Sequence, residues 1–149
     1  MATYTVTTNL DEDFGASLAA DKADGDGLSL REAIHWANQT TTVDTVDFDA
    51  SLGGTTLVLT QGKLVISEDL TVDGDIDGND SADITISGNN ASRIFLITGT
   101  TTVALDSLTL TNGNSTGAGG GGAIRVYSGV KLLAFDEKLL PEFILILNR

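Results

Sequence analysis

Short apolar triplets with a variable middle residue recur along most of the chain. Side chains alternate between the two faces of a β-strand, so such an in-out-in triplet predicts a very short strand with one buried face. Residues 3–8 and Val46-Asp47-Phe48 predict two early strands. The later, more regular triplets are Leu57-Val58-Leu59, Leu64-Val65-Ile66, Leu70-Thr71-Val72, Ile84-Thr85-Ile86, Ile94 to Ile97, Val103-Ala104-Leu105, Leu108-Thr109-Leu110, Ile124-Arg125-Val126 and Val130-Lys131-Leu132.

Four of these triplets recur at a nearly fixed spacing. Those that begin at Leu64, Ile84, Val103 and Ile124 are separated by 20, 19 and 21 residues. Recurrence at this period is typical of a solenoid. Gly, Asn and Asp fill the segments between triplets and suit tight corners. The sequence therefore predicts an all-β fold, a right-handed parallel β-helix of about four to five coils.

The segment GLSLREAIHWAN, Gly27 to Asn38, has a helical pattern instead. Ser29 and Glu32 have the spacing of a capping box, in which each side chain accepts a hydrogen bond from the backbone N–H of the other residue. Leu30, Ala33, Ile34 and Ala37 recur at helical spacing. Since a stack of strands needs a cover over its exposed first turn, we expect a short N-terminal capping helix over residues 29–38.

The segment DGDGLSLREAIHWAN resembles the N-terminal signature of CSLREA-domain proteins, which are large bacterial surface or secreted proteins. Ser29, Leu30, Arg31, Glu32 and Ala33 match the motif, whereas Leu28 stands where the family usually has Cys. The stretches ITISGNNASRIFLI and LDSLTLTNGNSTGAGGGGAI are similar to the early coils of these proteins, and the GGAI at residues 121–124 is similar to a repeat of polymorphic outer-membrane β-helix proteins. The resemblance implies an extracellular or cell-surface location and an adhesin-like, non-enzymatic role, with host-surface or extracellular glycans as partners.

The composition changes near Lys131, so we expect a capped β-helix domain over residues 1–131 and an atypical hydrophobic tail over 132–149. Two interpretations of the tail are open: a C-terminal cap over the stack, or the foreign end of an array cut short by an altered reading frame. The nearly continuous apolar run over residues 139–147 also predicts self-association through an exposed strand.

The 149 residues carry a formal charge of −13, from 21 acidic and 8 basic side chains. Phosphate binding needs clustered Lys and Arg, so nucleic acid and anionic membrane surfaces are not expected partners. No segment has the 18 or more apolar residues of a membrane span, no N-terminal signal peptide is recognisable, and there is no Cys. Cations, above all calcium, are the natural counterpart of this charge.

No catalytic constellation is apparent. His35 is the only histidine and lies off the apolar stripe, and Arg31 is expected to pair with a carboxylate or a sheet-edge carbonyl. GAGGGG at residues 117–122 lacks the Lys-Ser/Thr of a phosphate loop and is expected to be a flexible corner. The alternative function is a carbohydrate-active enzyme, a polysaccharide lyase or glycoside hydrolase on the same scaffold, although the basic residues on the coils are few.

Acidic residues crowd the segment between Val72 and Ile84. Asp73, Asp75, Asp77 and Asp80 are the candidate metal ligands, because DGDIDG reproduces the first half of a calcium loop, in which alternate carboxylates converge. The second half fails, since the twelfth position is Ile84 instead of a bidentate Glu. Either a weak calcium site of millimolar affinity or an ordinary acidic turn fits this pattern. The acidic residues Asp21, Asp24 and Asp26 before the helix are expected to be solvated turn residues.

Overall fold

A computed structural model describes residues 1–115, 122–135, 138–139 and 146–147 of the chain. In these residues β-strands predominate, and there are two short α-helices, α1 (Leu18–Asp21) and α2 (Leu30–Ala37), with a 3-10 turn at Ala50–Leu52. The strands are β1 (Thr3–Val6), β2 (Asp44–Phe48), β3 (Thr56–Val58), β4 (Leu64–Ile66), β5 (Leu70–Asp73), β6 (Ile84–Ser87), β7 (Phe95–Ile97), β8 (Thr102–Asp106), β9 (Leu108–Thr111), β10 (Ile124–Val126), β11 (Lys131–Phe135), β12 (Lys138–Leu139) and β13 (Ile146–Leu147).

The strands form three sheets, and the pairs within each sheet are parallel. The first sheet has the order β1-β2-β5-β8-β11, the second β3-β6-β9-β12, and the third β4-β7-β10-β13. From β2 onward, successive strands enter the first, second and third sheets in rotation. The prediction of a β-rich fold is confirmed, with parallel pairing throughout the described strands.

Each of the regular triplets lies in or beside a strand, so the strand positions are confirmed to within three residues. The nearly fixed spacing of the four triplets, however, is not the spacing of stacked strands. Leu64 pairs with Phe95 in the third sheet, whereas Ile84 lies in the second sheet and pairs with Leu108. The four recurring triplets therefore do not pair with one another in sequence.

The inward side chains of the triplets form one apolar core. Leu64, Phe95 and Ile124 follow one another across the third sheet, and each is at most 1% exposed. Val72 and Leu105 pair in the first sheet and have no exposed surface. In-register stacking of this kind buries each apolar side chain against the equivalent one on the next strand.

Helix α2 is the predicted capping helix, and its N-terminal capping box is confirmed. The Ser29 Oγ accepts a hydrogen bond from the Glu32 amide, and Glu32 Oε2 accepts one from the Ser29 amide at 2.7 Å. The four residues of the predicted stripe are buried, and the helix packs against β1, β2 and β4. The segment between β1 and α2 contains the additional short helix α1, whose N-cap is Ser17.

The corner after β5 packs closely against the corner between β8 and β9. Ser107 is the only residue between β8 and β9; it is fully buried and has a positive φ of 51°. A Cβ on Gly74, which follows β5, would come within 2.3 Å of the Ser107 carbonyl oxygen. Only glycine fits Gly74's position without moving that backbone.

Residues 131–135 of the chain form β11, which pairs in register with β8. Most of the predicted flexible corner, residues 117–121, and most of the segment predicted to self-associate, residues 140–145, lie outside the described residues. In the part of the chain that is described, no helix is long and apolar enough to cross a membrane.

Candidate metal-binding sites

The acidic loop joins β5 to β6, which belong to different sheets, and it places three carboxylates together. One oxygen each of Asp75, Asp77 and Asp83 lies within 4.8 Å of the others. Asp75 and Asp77 are therefore brought together as predicted, but their partner is Asp83. Asp73 and Asp80, the other two candidate ligands, are not members of this group.

Backbone amides of the loop occupy much of the acceptor capacity of these carboxylates. Asp75 Oδ1 accepts hydrogen bonds from the amides of Gly78 and Asn79 at 2.9 and 3.1 Å, and its Oδ2 accepts one from Asp80 at 3.1 Å. Asp83 Oδ2 likewise accepts the Ile76 amide at 2.9 Å. Short acidic side chains commonly stabilise turns in this way. The loop is thus a self-supported acidic turn with three converging oxygens.

Asp73 lies in the first sheet beside Asp106, its register partner on β8. Partial burial raises the pKa of Asp73, and the charges of Asp106, Asp75 and Asp47 raise it further. Asp47 has a buried oxygen, Oδ1, without a hydrogen-bond partner among the described residues. Asp73 therefore belongs to a row of carboxylates along a sheet, separate from the loop group.

A second acidic group lies beside the capping helix. One oxygen each of Glu12, Asp24 and Glu32 falls within 4.8 Å of the others. Of the three acidic residues noted before the helix, only Asp24 is a member, and Asp21 is buried instead, accepting a hydrogen bond from the Trp36 indole at 2.6 Å. The sequence pattern did not indicate Glu12, which lies far before Glu32 along the chain, in an apparently featureless loop.

Arg31 has the predicted structural role. Its guanidinium binds Asp11 through two hydrogen bonds, Nε to Oδ1 at 2.7 Å and Nη2 to Oδ2 at 3.0 Å, and Nη2 also donates to the Gly62 carbonyl at 2.7 Å. Burial raises the pKa of Asp11, but hydrogen bonds from Arg31, Gln61 and Thr60 outweigh it and hold the pKa below its ordinary value. This pair joins the loop before α1, the capping helix and the corner before β4.

His35 stacks on Phe14, with ring centroids 3.5 Å apart and an interplanar angle of 5°. Both residues line a shallow cleft of about 360 Å³ between α2 and β4, together with Asn38, Lys63 and Val65. Because Phe14 is 47% exposed, the stack presents an aromatic face to solvent.

The chain matches no family model, no curated protein and no solved structure. The resemblance to CSLREA-domain proteins therefore stays a prediction.

Proposed function

We propose that the chain winds as a right-handed parallel β-helix and serves as a non-enzymatic structural or adhesive module of a secreted or cell-surface bacterial protein. The observation that carries the proposal is the rotation of successive strands through three parallel sheets. A chain that returns to the same sheet every third strand, always in the same direction, fits a solenoid with three faces per coil. The five strands of the first sheet correspond to four to five coils.

The capping helix supports the same proposal. In a stack of parallel strands the terminal strand presents unpaired backbone groups and an open end of the core. Helix α2 packs its apolar face on β1, β2 and β4, and Asn38 at its C-terminal end accepts the Ser67 amide at 3.0 Å and donates to the Val65 carbonyl at 2.8 Å. Such a cover keeps the module from associating through that end.

The proposed partners are extracellular glycans. Exposed aromatic faces beside side-chain amides bind sugar rings by stacking and hydrogen bonding, and the cleft places the Phe14–His35 stack beside Asn38 and Gln61. The test is binding to immobilised neutral and acidic polysaccharides, followed by product analysis. We expect retention without depolymerisation, which Phe14→Ala abolishes and Val58→Ala, an exposed position that does not line the cleft, preserves. Retention of Phe14→Ala equal to that of the parent would reject the cleft as the binding face.

Weak calcium binding at the acidic loop belongs to the same proposal. Three oxygens from Asp75, Asp77 and Asp83, completed by carbonyls and water, suit an extracellular site of roughly millimolar affinity. We expect millimolar calcium to raise the melting temperature relative to chelator, with a smaller effect of magnesium. Asp75→Asn removes part of this effect, whereas Asp80→Asn, outside the group, retains it. If calcium raises the melting temperature of Asp75→Asn as much as that of the parent, the loop is an ordinary acidic turn.

A second candidate function is a carbohydrate-active enzyme, favoured by the row formed by Asp47, Asp73 and Asp106. Glycoside hydrolysis uses two carboxyl groups with different pKa values, and a raised pKa suits the general acid. Asp73 has such a raised pKa beside Asp106. Turnover of a polysaccharide that is lost in both Asp73→Asn and Asp106→Asn would favour the enzyme over the adhesive module.

A further inference from the structure

Three basic side chains gather on one side of this acidic chain. Lys63 is the last residue before β4, Arg93 lies two residues before β7, and Arg125 is the middle residue of β10. The strands β4, β7 and β10 are neighbours in the third sheet. These basic residues are far apart in the sequence, and the parallel pairing of the third sheet places them on successive strands. We call Lys63, Arg93 and Arg125 the basic strip.

The part of the chain that carries the basic strip contains no acidic residue. Asp and Glu are absent from residues 59–67, 88–97 and 112–126, which comprise β4, β7, β10 and the segments that lead into them. The chain as a whole has 21 acidic residues and a formal charge of −13. The outer side of the third sheet is therefore positive on a protein that is otherwise strongly negative.

The charges of the basic strip are directed to solvent. Lys63 is exposed, and neither Lys63 nor Arg125 forms an ion pair within the described part of the chain. The nearby Asp11 is already neutralised by Arg31, whose Nη1 also donates to the Lys63 carbonyl at 3.3 Å. An anion from outside the protein can thus approach these cations without displacing an internal carboxylate among the described residues.

Two clefts meet at Lys63. The first is the cleft of about 360 Å³ that contains the Phe14–His35 stack, and Asp13 is the only acidic residue among those that line it. The second has a volume of about 290 Å³, and its described lining includes Lys63, Arg93 and the polar side chain of Asn114, with no carboxylate. Because Lys63 lines both, the aromatic stack and the basic strip belong to one groove.

The outer face of the third sheet adds apolar contacts to this groove. Val65, Leu96 and Arg125 are in register on adjacent strands, and Val65 is 42% exposed and also lines the first cleft. The Arg125 guanidinium lies 5.0 Å from the centre of the Tyr127 ring. Apolar and aromatic surface interleaved with single cations suits a sugar polymer, whose rings have C–H faces and whose acidic groups are spaced apart.

We propose that the groove formed by the basic strip and the Phe14–His35 cleft binds a polyuronate, an acidic polysaccharide with one carboxylate per sugar. The proposal rests on the proposed adhesive function and names the class of glycan. Three strands about 4.8 Å apart span about 10 Å, over which double-stranded DNA carries roughly six charges, twice as many as the strip can pair with. The lower charge density of a polyuronate matches three cations, and the net charge of −13 repels denser polyanions.

The test is the affinity of the full chain for polygalacturonate and for its methyl ester, measured by biolayer interferometry in chelator at low ionic strength. These two polymers share a backbone and differ in charge. We expect the parent to bind polygalacturonate roughly tenfold more tightly than the ester, and this preference to diminish as added salt screens the carboxylates. Dextran sulfate and a single-stranded oligonucleotide serve as polyanions of other classes.

Lys63→Gln and Arg125→Gln should each weaken the binding of polygalacturonate about three- to fivefold and leave the binding of the ester unchanged. Arg125→Lys keeps the charge and should keep most of the affinity. Lys131→Gln is the matched control, because Lys131 is also exposed but lies on β11 of the first sheet, and it should bind like the parent. Circular dichroism establishes that each variant is folded.

Equal affinity of the parent for the two polymers would overturn this inference and leave the adhesive function in place, provided that Phe14→Ala abolishes binding of both. An equal loss of affinity in Lys131→Gln and Lys63→Gln would also overturn it, since net charge alone would then explain the preference. Tighter binding of dextran sulfate or of the oligonucleotide than of polygalacturonate would assign the strip to another class of polyanion. Binding of no polysaccharide would overturn the inference and the adhesive function together.

Discussion

The acidic group at the capping helix (Glu12, Asp24 and Glu32) and the acidic loop between β5 and β6 have similar compositions. They differ in where the hydrogen-bond donors to their carboxylates come from. In the loop, Asp75 and Asp83 accept hydrogen bonds from residues a few positions away, because the chain folds tightly around them. At the helix, Glu12 and Glu32 come from segments well separated along the chain, and the Glu12 Oε2 atom has no donor among the described residues. Asp24 and Glu32 likewise accept amides of their own segments, so the acceptor left unfilled is the Oε2 atom of Glu12, which the tertiary fold brings beside them.

The comparison extends to stability. Apolar and charged side chains around α2 are buried, so substitutions there should lower the free energy of unfolding strongly. Residues 77–81 of the acidic loop are exposed, and their side chains can be changed with a small effect on the free energy of unfolding.

The largest effect is expected for Ile34→Asp. Ile34 is 2% exposed on the face of α2 that meets the sheets, and the substitution buries a charge without a partner. We expect a loss of at least about 4 kcal/mol in the free energy of unfolding, measured by denaturant titration. Gln39→Asp, which adds the same charge at an exposed position just after the helix, should change it by about 0.5 kcal/mol or less. Equal stability of the two variants would show that α2 is not docked.

Arg31→Ala should cost about 3 kcal/mol, because it leaves the 3%-exposed Asp11 side chain charged and without its cation. The double variant with Asp11→Asn should lose less than Arg31→Ala alone, which a double-mutant cycle measures. In the parent the pKa of Asp11 is lowered on folding, so its contribution is present above the unfolded pKa and is lost as the pH falls through the folded pKa. Arg31→Ala should therefore lose less stability than the parent as the solution is acidified from neutral pH. An identical pH dependence in both proteins would contradict this assignment.

Gly74→Ala is the exception within the acidic loop and should cost about 2 kcal/mol, because its Cβ would meet the buried Ser107 backbone and the adjacent corner would have to shift. Gly78→Ala in the same loop has open space around it but a φ of +75°, so it should cost only about 1 kcal/mol. Thermal denaturation of both variants separates the effect of the close backbone approach at Gly74 from that of the positive φ at Gly78. A larger loss of stability in Gly78→Ala than in Gly74→Ala would indicate that the corners at Gly74 and Ser107 do not meet.

Ser29→Ala is expected to cost about 1 kcal/mol, through loss of the side-chain acceptor of the capping box. Ser17→Ala, the equivalent change at the exposed short helix α1, should have a smaller effect because little structure depends on that helix. Hydrogen exchange at the Glu32 amide would report the loss locally. A larger effect at Ser17 would mean that α1, and not α2, is the structural element of this region.

The strands and the capping helix could be predicted because their signals are local. The capping box requires only Ser29 and Glu32, and each triplet shows its buried face through two residues of the same strand. The stacking could not be read in the same way, because the triplets resemble one another. Leu64 and Ile84 begin strands that lie two steps apart in a three-sheet rotation, so a regular spacing of two strands resembled the spacing of strands that pair with each other.

The same limit applies to the metal sites. Asp75 and Asp77 were recognisable because a calcium-loop pattern is contiguous, and Ile84 correctly marked where that pattern fails, since it is fully buried. The group at the helix forms only when residues 9–15 pack beside α2, and no short sequence pattern predicts that packing. Glu32 was already explained by its capping role, and nothing in the sequence around Glu12 indicated a second carboxylate nearby.

The register of the sheets has a consequence for how the chain tolerates insertions. Less chain separates Ile84 from its partner Leu108 than separates Leu70 from its partner Val103, yet both pairs are in register. The entropy of closing a loop grows only logarithmically with its length, so this difference amounts to about 0.3 kcal/mol. Exposed loops such as residues 77–81 can therefore gain or lose several residues while the strands keep their partners, unlike the buried corner at Ser107. Longer surface loops between β-strands of this protein therefore change the free energy of unfolding very little, so insertions at these positions can be retained during evolution.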